Sequence, residues 1–76
     1  MTAPKYDLTA CVEAAAQALY DFDVEGYLKT FHQVYPDRKP EPITAWHEAP
    51  DVVQTVHRAE VLPIVRAVLA VVEAGE

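Results

Sequence analysis

Twelve consecutive residues, Val61 to Val72, hold eight Val, Leu or Ile and two Ala, interrupted only by Pro63 and Arg66. Such a run constrains the chain more than any other feature, because it must be covered by something. It is too short to span a bilayer, which takes about 20 apolar residues. It lacks the strict alternation of a half-buried strand and contains a proline, which disfavours a central strand. The remaining reading is a helix over 63–74 whose apolar arc covers about half its circumference, leaving Arg66, Ala67, Ala70 and Glu73 on the far side. Two covers are then available. The helix is either central, surrounded by the other helices of its own chain, or it packs partly against a second copy.

The rest of the chain supplies few other helices. Asp7 is a helix N-cap, and Leu8, Val12, Ala15, Leu19 and Phe22 recur at gaps of three and four, predicting helix A over 8–20. Asp21-Phe22-Asp23 reads as a break with two capping candidates. Val24, Tyr27, Leu28, Phe31, Val34 and Tyr35 then share one face of a helix B over 24–34, in which Gly26 weakens the first turn. Pro36, Pro40 and Pro42 exclude a regular helix, so 36–49 is expected to be a loop pinned at its end by Ile43 and Trp46, with Thr44 capping a short turn over 45–49. Pro50 and Asp51 suit a helix start. Beyond residue 60 the apolar positions change face near Pro63. Residues 51–74 are therefore either helix C (51–60) followed by helix D (63–74), or one kinked helix. Gly75 is placed as a C-cap. Residues 1–6 read as a tail. The expected fold is all-α, a compact bundle of three or four short helices in a single domain, with a proline-rich loop between the second and third.

Composition bounds the function. The chain has 76 residues, twelve acidic against six basic, a net charge of −6 and one cysteine. One thiol forms no internal disulfide, so a core this small needs other support, such as oligomerisation. The basic residues Lys5, Lys29, Arg38, Lys39, Arg58 and Arg66 are scattered, whereas nucleic-acid affinity requires clustered Lys and Arg. Direct nucleic-acid binding and anionic membranes are disfavoured. The opening residues lack the charged and apolar regions of a signal peptide, and a cytoplasmic protein is expected.

Catalytic signals are weak. There is no serine, and Gly26 and Gly75 cannot form a phosphate-binding loop. Cys11 has no basic neighbour in sequence to activate it and reads as a structural thiol. His47-Glu48 lacks the second histidine of H-E-x-x-H, since position 51 is Asp, and His57/Glu60 is the reverse of the E-x-x-H of di-metal bundles. His32 belongs to no ligand pattern. No catalytic residue, metal or cofactor is expected.

The aromatics are more suggestive. Tyr27 and Phe31 fall at core spacing, while Tyr20 lies off the helix A stripe, near Glu13 and Gln17, and is expected to be exposed. Tyr20, Tyr35 and Trp46 are candidate binding hot spots. With Val61, Ile64, Val65, Val68 and Val72 of the apolar helix they form the predicted interaction set. The segment from Ala18 through Asp21-Phe22-Asp23 to Tyr27 and Phe31 resembles the opening helices of NTF2-like domains. That resemblance implies a curved antiparallel sheet to follow, and the sequence after residue 36 has no strand pattern to supply one. The functional expectation is a small acidic protein–protein interaction module, an adaptor, inhibitor or assembly factor binding another protein, with homodimerisation through its C-terminal helix as one form of that binding. The alternative is a regulator of the phage or mobile-element type, or a nucleic-acid mimic, acting through its carboxylates.

Overall fold

A computed structural model describes residues 6–75; the expected tail lies outside them except for Tyr6. Asp7 caps the first helix as expected, its carboxylate accepting from the amides of Thr9 at 2.9 Å and Ala10 at 3.4 Å. That helix, α1, runs unbroken over Leu8–Val34. Helices A and B are thus one element, and the break expected at Asp21-Phe22-Asp23 is absent. None of these residues removes an amide or requires a special dihedral, and aspartate inside a helix costs only about 0.5 kcal/mol relative to alanine. The fragment resembling NTF2-like domains therefore lies wholly within one helix, and no strand occurs among the described residues.

The second helix, α2, spans Asp51–Ala74 and contains Pro63 in its interior. Of the two readings of 51–74, the single helix is the one observed, and helices C and D are not separate elements. Pro63 has no N–H to offer the Ala59 carbonyl, a defect of about 3 kcal/mol in a helix interior. The helix continues because Val61 and Val65, either side of the proline, are both buried against α1. Pro50 stands at the N-cap position, Asp51 lies in the first turn, and Gly75 is the C-cap with its amide on the Glu73 and Val71 carbonyls.

The architecture is accordingly a hairpin of two long helices, not a compact bundle of three or four short ones. The helices run antiparallel. Near the turn His57 of α2 meets Asp23 of α1. Further along, Ala16 shares a core with Val61 and Val65, and at the far end Leu8 lines the same groove as Leu69 and Glu73. The molecule measures 59 × 24 × 14 Å with a radius of gyration of 16.4 Å, against about 11 Å for a compact domain of this length.

Residues between the helices form a strap, not a simple turn. From Tyr35 the chain returns along α1, and Trp46–Glu48 makes a single 3-10 turn. The N-cap of that turn is Ala45, without a side-chain cap bond; Thr44 instead uses its carbonyl, which accepts from the Tyr20 hydroxyl at 2.6 Å. Trp46 is pinned to the core as expected, only 2% exposed, whereas Ile43 stays at the surface.

Candidate functional site

The two broad sides of the hairpin differ, and that difference follows from helix geometry. At 100° per residue, Glu13 and Tyr20 lie to one side of Ala16 on α1, and Arg58 and Leu62 lie to the same side of Val61 on α2. Leu8, Ala15, Leu19 and Phe22 occupy the other flank of α1, as do Ile64, Val68 and Val71 on α2. Because the helices are right-handed and antiparallel, matching flanks fall on the same side of the pair.

The first side is closed by the strap. Trp46 inserts beside Ala16 and donates its indole N–H to Glu13 Oε1 at 2.8 Å. Arg58 holds the same carboxylate with two donors, Nε to Oε2 at 2.7 Å and Nη2 to Oε1 at 3.1 Å, while its guanidinium carbon lies 5.5 Å from the Trp46 ring centroid. Gln54 completes the network. Its amide nitrogen donates to the Trp46 carbonyl at 2.8 Å, and its oxygen accepts from Arg58 at 3.2 Å. Hydrogen bonds from Arg58 first, and then from Trp46, lower the Glu13 pKa from 4.5 to about 2; the same contact raises that of Arg58. Tyr20 packs at 5.6 Å from Trp46 and 5.7 Å from His57, ring centroid to centroid.

His57 lies between two acceptors, with Nδ1 2.8 Å from the Val53 carbonyl and Nε2 3.1 Å from Asp23 Oδ2. Only the doubly protonated ring donates to both. Among the described residues no group of three or more His, Cys, Asp or Glu side chains is arranged to hold a metal, and no buried side-chain polar atom lacks a partner. A depression of about 750 Å³ lies between Leu8 and the Arg66–Glu73 stretch of α2. It is an open groove.

Among the described residues, nothing covers the second side. Phe22 is 72% exposed, Ile64 63%, Val68 54% and Val71 73%. Its charged residue on α2 is Glu60; on α1, Asp23 is turned to His57, and Glu25 and Lys29, one of each sign, border Phe22. The expectation of a helix D surrounded by its own chain is corrected here, because the described residues form two long helices and no third or fourth to surround it.

The predicted interaction set divides accordingly. Ile64, Val68 and Val72 are exposed, and Tyr35 is exposed at the end of α1. There it stacks on Phe31 at 5.3 Å beneath the Arg38 guanidinium at 5.2 Å. Val61 and Val65 are core residues, and Trp46 is a plug, so none of the three is available to a partner. Tyr20 is half-buried and bonded to the strap. Cys11 is half-buried at the core edge. Phe22 and Val71 were missed. Spacing alone puts Phe22 on the apolar stripe of helix A and Val71 in the apolar run from Val61; in the hairpin both are at the surface.

Comparison with protein-family models, with curated proteins and with solved structures finds no match to this chain. Among the described residues no helix is long and apolar enough to cross a membrane.

Proposed function

We propose that the chain is a small, non-catalytic protein–protein interaction module that receives its partner on the open apolar side of the hairpin. The observation that carries this reading is the contrast between the two sides: one is sealed by Trp46 and a polar network, the other presents Phe22, Ile64, Val68 and Val71 to solvent. Large apolar side chains left exposed along one side of a helix pair are a mark of interaction sites. The acidic-mimic alternative has less support, because Asp7, Glu13 and Asp23 are each engaged by the chain's own groups. The cytoplasm is the compartment this reading expects, and the free thiol of Cys11 suits it.

The test is capture on immobilised protein. Partner capture is expected to survive high salt and Thr55→Glu, which lies away from the open side, and to be lost with Ile64→Glu. Capture abolished by salt and indifferent to Ile64→Glu would overturn the reading, since interactions between exposed charges are the ones that salt screens.

A further inference from the structure

The interaction-module reading leaves the partner unnamed, and the inference that follows rests on that reading. We infer that the partner is a second copy of this chain. Two hairpins pack open side to open side about a two-fold axis, Phe22, Ile64 and Val71 of each covered by the other, with both Trp46 straps facing outward.

Surface area is the first argument. The chain exposes 6084 Å², whereas size scaling gives a compact monomer of its mass about 4,700 Å². One broad side of the hairpin, 59 by 24 Å, offers about 1,400 Å² to a partner, so two copies pairing over it bury up to about 2,800 Å² between them. That is within the roughly 2,000–5,000 Å² of obligate homodimers and above the ~1,600 Å² of a standard recognition interface. A docked peptide covers too little.

The second argument is the core. Within one chain the buried hydrophobics are Ala16, Trp46, Ala49, Val61 and Val65, two of them alanines. A chain of 8.5 kDa without a disulfide needs additional burial whenever it is folded. A second copy is the one partner always present when the chain is.

Charge is the third. Copies with a net charge of −6 repel unless they meet on neutral ground, and the open side carries Glu60 as its charged residue on α2. A basic or acidic macromolecule finds little there to pair with. A two-fold pairing needs a single self-complementary patch, which this side provides.

Sedimentation equilibrium of the purified full chain, over a wide concentration range, is expected to give twice the mass of 8.5 kDa. The thermal unfolding midpoint should rise with concentration, as it does when folding and association are linked. Ile64→Glu and Val71→Glu are expected to weaken association a hundredfold or more, and Thr55→Glu to leave it unchanged. Val71→Glu guards against loss of folding, because Val71 is among the most exposed side chains of the hairpin. A monomer at every concentration overturns the inference. So does a dimer that neither Ile64→Glu nor Val71→Glu weakens. A wild-type monomer whose capture of another protein still depends on Ile64 would refute the second copy and leave the interaction-module reading standing.

Discussion

Replacing Trp46 by alanine removes the plug from the closed side, and the structure sets the size of the effect. The indole is 98% withdrawn from solvent, from a relative exposure of 2%. Burying a tryptophan withdraws about 200 Å², worth about 5 kcal/mol at 25 cal/mol per Å². Measured Trp→Ala and Phe→Ala costs in cores are about 3–5 kcal/mol. A chain of 76 residues has a total stability of about 4–11 kcal/mol at 0.05–0.15 kcal/mol per residue. Trp46→Ala therefore removes most of it. Trp46→Phe keeps much of the area and loses only the N–H that reaches Glu13, so its expected cost is about 1–2 kcal/mol. Urea titration followed by far-UV circular dichroism, at one fixed protein concentration, measures both. Since Trp46 is the only tryptophan, its fluorescence reports the plug directly in the wild type, with a red shift expected at the same midpoint as the loss of helix. A cost below 1 kcal/mol for Trp46→Ala, with helix content retained, would refute the plug and the contrast between sides built on it.

Three further predictions concern local features. The folded-state pKa of Glu13 is lowered from 4.5 to about 2, so its contribution to stability is present above pH 4.5 and lost as pH falls toward 2; in acid titrations Glu13→Gln should remove that part of the pH dependence. Asp7→Ala should cost about 1 kcal/mol through loss of the N-cap, read from the urea midpoint. Pro63→Ala restores an amide donor to the Ala59 carbonyl and should raise stability by about 1–3 kcal/mol, visible as a higher thermal midpoint; an unchanged or lower midpoint would mean that the proline shapes the helix for a contact of its own.

The helical content, the Asp7 cap, the Pro50-Asp51 start and the anchoring of Trp46 were legible because each depends on residues close in sequence. The unbroken first helix was not, and the second was legible only as one of two readings. Asp21, Asp23 and Pro63 are local stop signals; local reasoning cuts the chain at the first two and leaves Pro63 undecided between a boundary and a kink. What overrides them is packing across the hairpin, as when Val61 and Val65 hold α2 against α1 on both sides of Pro63. The Glu13–Trp46–Arg58 network joins residues 33 and 45 positions apart, a separation that carries no periodic signature. One trace of it was present: Tyr20 shares a flank with Glu13 and Gln17, which reads as solvent until the strap is laid over it. The exposed set was misjudged for the same reason, since which side of a helix is wet depends on how many neighbours it has.

If the chains pair as proposed, the Trp46 strap also limits how large their assembly can grow. A two-helix hairpin bare on both broad sides could add a copy to each, and nothing would end the stack. With one side sealed, each copy offers a single sticky surface, and a two-fold pairing uses up both. In the proposed pair growth would stop at two, and Trp46, on the side turned away from the second copy, would act as the terminator of assembly. Loosening the strap would then do more than destabilise a fold: it would open a second surface and turn a closed pair into the start of a filament.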